Sequence, residues 1–325
     1  MILEGKMNQI EMVTLDELVD KDHSYRQINK ALNFEAVDRR LSVLKKDNPY
    51  EGYGLNRLFK CIFLQYLENL SDRELERFLK ENTAAKWFCG FGLTEKTPDY
   101  SVFSNVRKKI GAQMLSKIFE DMKQQLKKRG YMNEVFTFID ATHLISKGQL
   151  WKERDELIRK KYEKMNNENI IKVAADKEAR FGCKGKDKYW FGYKEHVSVD
   201  MQSGMINKIA LTKANITDAQ GMKHVCPSQG AIYADKGYCP SCAKHAAAKK
   251  GCHLAAIKKN NMKGKNRDLD HWISKIRAPY ERVFSKRAKR VRFRTLVKNL
   301  FSSFMHAICF NTRRLIILAE TDSTG

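Results

Sequence analysis

The sequence lacks a long apolar run, a low-complexity tract and an even balance of charge. No stretch approaches the roughly 20 consecutive apolar residues that a membrane-spanning helix requires, so we expect no membrane partner. Residues 1–24 mix acidic and basic side chains without the apolar segment of a secretory signal, which predicts a cytoplasmic protein, with access to the nucleoid in a bacterium. A hydrophobic content of 42% without low-complexity sequence favours a packed chain over extended disorder.

Acidic residues are scarce relative to basic ones. There are 38 Asp and Glu against 61 Lys and Arg, which gives a formal net charge of +23. Such an excess indicates a polyanionic partner, most often DNA or RNA. A ribosome-associated or merely basic protein fits the charge equally well. The 325 residues are enough for one large domain and a smaller one.

Closely spaced cysteine pairs are also scarce. The eight cysteines are scattered along the chain, and in a cytoplasmic protein this favours free thiols over disulfides. Cys239 and Cys242 form a C-x-x-C pair with His245 and Cys252 nearby. This pair lacks the second well-spaced pair that a structural zinc site usually has, so thiols are the preferred interpretation.

The sequence does contain two short apolar runs that lead directly into an aspartate. Residues 135–139 precede Asp140, and residues 231–234 precede Asp235. Each run predicts a buried strand with the carboxylate at its end. A divalent metal ion is the usual compensating charge for such carboxylates. Glu281, at the start of a basic segment that we predict to be helical, is the third candidate ligand.

These carboxylates suit metal-dependent chemistry on phosphodiesters. Two Mg²⁺ ions roughly 4 Å apart activate the attacking oxygen and stabilise the leaving oxygen. Magnesium prefers carboxylate and phosphate oxygens, so we predict Asp140, Asp235 and Glu281 as catalytic ligands of two Mg²⁺ ions, with Mn²⁺ as a substitute. A strand-terminal aspartate is more often a turn or capping residue. That simpler role is preferred for Asp176, Asp200 and Asp218.

The first part of the chain is predicted to be a helical domain, residues 1–130. Ser71 and Glu74 form a capping-box pattern at the start of one helix. A later helix, whose first part is predicted at residues 101–110, carries Arg107 and two lysines. Short helices around tight turns, with bases on the last one, are typical of a DNA-binding helix-turn-helix. A plain helical bundle with solvated lysines fits the pattern equally well.

The second domain is predicted to span residues 131–325. Apolar and polar residues alternate at 191–200 and 205–211, which predicts a β-hairpin. Further strands and helices are predicted after it, which indicates an α+β domain with a mixed sheet. Dense alternating charge predicts an exposed helical insertion at about 146–190. A helix is also predicted to run from Pro279 into the basic stretch.

An ordered series of motifs spans about residues 55–295. The motifs are Leu70–Leu75, Pro98–Phe103, Ile139–Asp140, Asp176–Arg180, Gly192–Asp200, Ala214–Asp218, Ala234–Tyr238 and Tyr280–Phe284. Together they resemble DDE transposases of bacterial insertion sequences, specifically the insertion-sequence-five-like group. The resemblance implies a ribonuclease-H-like catalytic domain that cleaves double-stranded DNA at transposon ends and transfers strands to target DNA. It also implies a homodimer in the synaptic complex.

The broader class often carries a Y-x2-R-x3-E-x6-K signature, which this chain matches only in part. Arg277 and Glu281 fit, whereas Ser274 stands at the tyrosine position and Ala288 at the lysine position. From residue 258 to residue 294, 14 basic residues stand against three acids, which predicts a phosphate-binding surface. The predicted DNA contacts are Lys236, Arg277, Lys286, Lys289, Arg292 and Arg107.

Two other functions remain compatible with the sequence. One is a domesticated, non-transposing DNA-binding protein, and the presence of all three carboxylates argues against it. The other is a nuclease of the same fold without strand transfer, which nothing in the sequence separates from a transposase. Because phosphate contacts carry little sequence information, recognition of the transposon ends is predicted to reside in residues 1–130.

Overall fold

The chain folds into two compact units, Met1–Ile110 and Gly111–Gly325. The structure is a computed structural model. It describes residues 12–45, 52–148, 174–185, 188–284 and 288–324. Helices form the first unit, and the second is built around a mixed sheet, which confirms the predicted fold class. The assignment of end recognition to residues 1–130 and catalysis to the remainder stays a prediction.

Short amphipathic helices pack together in the first unit. They are α1 (Ser24–Ala31), α2 (Phe34–Ser42), α3 (Leu55–Leu67), α4 (Asp72–Glu81) and α5 (Thr83–Cys89). Helix α3 is buried on most of its surface, and the rings of Phe34, Phe63 and Phe88 pack with centroids 5.5 to 6.0 Å apart. The predicted capping box is confirmed, with Ser71 and Glu74 each bonding the other's backbone N–H.

Helix α6 (Tyr100–Lys128) is interrupted at Gly111, whose φ of 67° and ψ of 166° are not helical. Glycine adopts this positive φ without the steric cost that other residues incur. The division between the two compact units falls at this residue. The helical residues after Gly111 therefore belong to the second unit.

A mixed sheet of six strands forms the centre of the second unit in the part of the chain that the structure describes. The strands are β1 (Phe136–Ile145), β2 (Arg180–Lys184), β3 (Lys188–Asp200), β4 (Ile206–Lys213), β5 (Ala231–Ala234) and β6 (His253–Ala256). Strand β1 pairs antiparallel with β3, which pairs antiparallel with β2 and β4. On its other side β1 pairs parallel with β5, which pairs parallel with β6. This order, antiparallel on one side of β1 and parallel on the other, is that of a ribonuclease-H-like sheet.

Among the described residues that come after β4, four further α-helices belong to the second unit. They are α7 (Asp218–Val225), α8 (Ser241–Ala248), α9 (Arg267–Arg277) and α10 (Leu296–Thr324). Helix α7 contributes Met222 to a buried cluster that also contains Ile139 and Tyr238. Helix α10 is fixed to β4 through Asn311, whose side-chain amide exchanges two hydrogen bonds of 2.8 Å with the backbone of Ile206. Across the described residues, no helix is both long and apolar enough to cross a membrane.

Strand β1 extends further than its sequence pattern predicted. The apolar run indicated a strand ending at Asp140, but the strand continues to Ile145. The reason is that the antiparallel ladder with β3 runs on to the pair Ile145↔Gly192, whereas the parallel ladder with β5 stops at Ile139↔Ala234. Asp140 is therefore the first residue of β1 beyond the parallel ladder.

The helix predicted from Pro279 into the basic stretch is wrong. Residues Ala278–Phe284 form a 3₁₀ helix, and residues 288–295 are not helical. This later segment lies beside the end of β1, because the Ile145 N–H donates to the Lys289 carbonyl at 2.7 Å and the Val291 N–H donates to the Ile145 carbonyl at 2.9 Å.

The predicted charged insertion at about 146–190 falls largely on residues 149–173, which lie outside the described residues. Its end is corrected by the structure, since Arg180–Lys184 form β2 and β3 begins at Lys188. Both strands are stabilised by long-range pairing with each other and with β1, which charge alternation does not reveal.

Glu134 is a buried carboxylate that ties together separate segments of the second unit. Its carboxylate accepts from Lys127 Nζ at 2.7 Å and from the Ser228 N–H at 2.8 Å. Burial raises its pKa, but the hydrogen bonds from Lys127 and Ser228 outweigh burial and lower the pKa to about 2. We expect Glu134→Gln to lower the free energy of unfolding by about 1–3 kcal/mol at neutral pH, because it removes a buried charge paired with Lys127 and turns an amide NH₂ group towards the Lys127 and Ser228 donors.

The same substitution changes the pH dependence of stability. A depressed pKa contributes stability above the unfolded-state pKa, and this contribution is lost as pH falls from about 4.5 towards 2. Urea unfolding at pH 7 and pH 3 measures the effect, with the half-exposed Glu120→Gln as a control that should change stability by less than about 1 kcal/mol. Equal unfolding free energies for wild type and Glu134→Gln at pH 7 would contradict this account.

Candidate active site

Asp140 and Asp235 lie side by side, each one residue beyond the parallel ladder between β1 and β5. The last pair of the β1–β5 ladder is Ile139↔Ala234, and the two aspartates are the next residues on their chains. Because neighbouring strands lie about 4.8 Å apart, the two carboxylates start from adjoining backbone positions. The predicted placement of Asp235 directly after its strand is confirmed.

Glu281 reaches the same place from a different element. Helix α9 ends at Arg277, and the following 3₁₀ helix carries Glu281 one turn further. The Arg277 guanidinium lies 3.8 Å from Asp140 Oδ2, 3.6 Å from Asp235 Oδ1 and 3.8 Å from Glu281 Oε1. The structure therefore brings the three predicted catalytic carboxylates around one cation.

The position of α9 over the sheet is set by aromatic contacts. The Arg277 guanidinium carbon lies 5.2 Å from the centre of the Phe138 ring, which is also 6.2 Å from the Tyr280 ring. The Tyr280 hydroxyl donates to the Met201 carbonyl at 2.5 Å, which links the 3₁₀ helix to the end of β3. These contacts bring Arg277 and Glu281 to the face of β1 that carries Asp140.

The ionisation of Asp140 is perturbed by its surroundings. Burial raises its pKa to about 6, although the Ala141 N–H and the Arg277 guanidinium favour the ionised form. The charges of Asp235 and Asp218 also contribute to this raised pKa. A carboxylate with such a pKa is largely ionised at neutral pH and has a strong electrostatic preference for a nearby cation.

The donor set fits a divalent metal ion. Three carboxylates from separate elements supply the hard oxygen ligands that Mg²⁺ prefers. Among the described residues, no three His, Cys, Asp or Glu side chains already stand close enough to share one metal ion. Arg277 is the cation that the three carboxylates share in this structure.

The predicted DNA contacts divide into exposed and internal side chains. Lys236 follows Asp235 in a short 3₁₀ helix and is exposed, and Lys289 is exposed beside the end of β1. Arg292 is half-buried. Lys286 lies outside the described residues. Among the described members of this group, Lys236 and Lys289 are therefore the two most available to phosphates.

The side chains of Arg107 and Arg277 are engaged inside the protein, and their assignment as DNA contacts stays a prediction. Arg107 is only 10% exposed and forms a bidentate pair with Asp72, at 2.8 and 2.5 Å. It also donates to Gln65 at 3.1 Å, so it joins α6 to α3 and α4. Arg277 is 6% exposed and faces the carboxylates. Neither side chain is available to phosphates in this conformation.

Asp218 lies beside the site, although the sequence favoured a simple turn or capping role. It opens α7 and forms an ion pair with Lys194 at 2.9 Å. A Cβ atom on Gly237 would stand 2.5 Å from Asp218 Oδ2, so the turn after Asp235 passes close to this carboxylate. The Ala214–Asp218 motif draws attention to Asp218 in the sequence. No local pattern predicts that this residue lies against the turn after Asp235.

Other residues of the matched motifs serve the fold. Asp176 is buried and accepts hydrogen bonds from the hydroxyls of Ser146 and Tyr193 at 2.8 to 2.9 Å. Asp200 caps the turn into β4 by accepting from the N–H and the hydroxyl of Ser203. Cys239 is buried with its sulfur 3.1 Å from that of Met262, and Cys242 is exposed.

Asp140 and Asp235 lie side by side at adjacent strands, and Glu281 joins them from the 3₁₀ helix after α9. In a strongly basic chain, these three carboxylates define a metal-dependent enzyme of phosphodiester chemistry. Residues 132–312, more than half of the chain, match the family described as Transposase DDE domain, and residues 13–109 match the Transposase domain (DUF772). The chain belongs to the DDE transposase family. It is thus a metal-dependent transposase that cleaves DNA.

One similar solved structure is the cryo-EM structure of the piggyBac transposase synaptic complex with hairpin DNA. The two chains are 10% identical, with a TM-score of 0.43, and the match covers 95% of this chain and 75% of that chain. The family expected from the motifs is confirmed by the two domain matches. Membership of the insertion-sequence-five-like group stays a prediction.

Proposed function

We propose that this transposase binds the two ends of an insertion sequence, cleaves the DNA there and transfers the strands to target DNA. The observation that carries the proposal is the convergence of Asp140, Asp235 and Glu281 within 4 Å of one buried guanidinium. Three elements distant in sequence meet at this point. Such convergence is expected of a catalytic site and is uncommon for carboxylates that only cap turns.

In this proposal Asp140, Asp235 and Glu281 hold two Mg²⁺ ions, and Mn²⁺ substitutes for them. When bound, the ions neutralise phosphate charge and activate the attacking and leaving oxygens. Burial raises the pKa of Asp140 to about 6, so this carboxylate is largely ionised and able to bind a cation at neutral pH. Lys236, next to Asp235, binds the sugar-phosphate backbone of the DNA near the scissile phosphate.

Recognition of the ends is assigned to residues 1–130, and synapsis to a homodimer acting on double-stranded DNA in the bacterial nucleoid. Phosphate contacts by the basic residues of the second unit position the DNA but do not read its sequence. With Arg107 engaged by Asp72, a base-reading role falls to other side chains, of which Lys108 is exposed on the same helix.

The test is an in vitro reaction with the full-length protein, Mg²⁺ and DNA that carries both ends of the element. We expect cuts at the ends of the element and joined products in a supercoiled target plasmid. Neither cleavage nor joining should occur after EDTA is added. Cleavage without joined products would identify a nuclease instead. Specific binding without cleavage in either Mg²⁺ or Mn²⁺ would identify a non-transposing DNA-binding protein.

A further inference from the structure

Arg277 occupies the position where the three carboxylates converge. Its distances to Asp140, Asp235 and Glu281 are 3.6 to 3.8 Å, which is ion-pair range but longer than a hydrogen bond. Its Nε atom is buried and has no hydrogen-bond partner among the described residues. The guanidinium is therefore held mainly by charge and by the Phe138 ring, not by directed hydrogen bonds.

The arginine and the carboxylates depend on each other electrostatically. A guanidinium that is 6% exposed is costly to bury unless opposite charges surround it. Conversely, three ionised carboxylates around one point repel one another, and Asp140 is the most buried of them. Three negative charges and one positive charge leave a net charge of −2 when all are ionised. Lys194 offsets the neighbouring Asp218 and adds nothing to this balance.

We propose that Arg277 is a positioning residue: its guanidinium holds Asp140, Asp235 and Glu281 together before divalent ions bind, and its charge lowers the affinity of the site for those ions. The inference rests on the proposed function, in which these carboxylates are the metal ligands. The length of these contacts matters, because a divalent ion that displaces the Arg277 guanidinium from the carboxylates breaks no directed hydrogen bond. The net charge of −2 still attracts divalent ions when Arg277 is in place.

The test measures Mn²⁺ binding to the full-length protein without DNA, by isothermal titration calorimetry. Arg277→Gln should bind Mn²⁺ at least about tenfold more tightly than wild type, since a unit positive charge about 4 Å from the ligands is removed. In EDTA the variant should unfold at a lower temperature than wild type, and Mn²⁺ should raise its unfolding temperature more. Arg267→Gln, an exposed arginine at the other end of α9, is the matched control and should match wild type.

A double variant separates charge pairing from simple packing. Asp140→Asn removes the most buried negative charge, so Arg277→Gln/Asp140→Asn should be more stable in EDTA than Arg277→Gln alone. This comparison applies even when Arg277→Gln is too unstable for titration. A double variant no more stable than Arg277→Gln would overturn the inference, as would an Arg277→Gln protein that is folded and binds Mn²⁺ no more tightly than wild type.

The Asp235→Asn protein distinguishes this failure from failure of the proposed function. Loss of Mn²⁺ affinity in Asp235→Asn, combined with unchanged affinity in Arg277→Gln, would reject only the role of Arg277. Wild-type Mn²⁺ affinity in Asp235→Asn would instead reject the assignment of the carboxylates as metal ligands, and the inference with it.

Discussion

Asp140→Asn, Asp235→Asn and Glu281→Gln are each expected to reduce DNA cleavage by more than about a hundredfold. Loss of a residue that only orients a metal ligand costs about 10–100-fold, and loss of a ligand should exceed that. The amide substitutions keep the size of each side chain and remove the charge that a metal ion requires. Cleavage of labelled end DNA in Mg²⁺, followed on denaturing gels, measures the effect.

Folding and DNA binding should survive in these variants. Each substitution leaves Arg277 with two of its three carboxylate partners, so the buried guanidinium remains paired. Asp268→Asn is the matched control, because Asp268 is exposed at the start of α9. Near-normal cleavage by any one of the three variants in Mg²⁺ would remove that residue from the active site.

DNA affinity is expected to fall by roughly a thousandfold or more when salt rises from about 50 to about 200 mM. This follows if about six to ten phosphates are contacted, since each neutralised phosphate releases condensed counterions. Fluorescence anisotropy across a salt series gives the slope of log affinity against log salt. Affinity that does not change with salt would show that the basic residues of the second unit are not the DNA surface.

Single substitutions test which basic side chains make these phosphate contacts. Lys236→Gln and Lys289→Gln each remove an exposed charge near the candidate site and should reduce the salt slope by about one. Arg107→Gln removes the same charge from a side chain already paired with Asp72. It should leave the slope unchanged and lower the stability of the first unit instead. The reverse outcome would identify Arg107 as a phosphate contact.

The sequence predicted those parts of the site that depend on local pattern. The apolar runs before Asp140 and Asp235 specify strands by composition, and both strands form. The hairpin predicted at residues 191–211 forms as β3 and β4, because its alternation and its turn at Gly204 are also local. These features require no knowledge of distant partners.

The remaining features depend on contacts between residues far apart in sequence. The end of β1 is decided by pairing with β3, more than 40 residues later, and not by its own composition. Arg107 binds Asp72, 35 residues earlier, so its burial was not visible from the basic pattern around it. Arg277 was assigned to DNA from its signature spacing, but its environment comes from three carboxylates on other segments or on the next turn.

The most direct test of the central claim is anomalous diffraction from crystals of the protein with end DNA and Mn²⁺. We predict metal peaks within about 2.5 Å of carboxylate oxygens of Asp140, Asp235 and Glu281. The Arg277 guanidinium should lie further from these oxygens than the 3.6 to 3.8 Å of the present structure. Peaks at saturating Mn²⁺ that contact none of the three carboxylates would contradict the assignment of the active site.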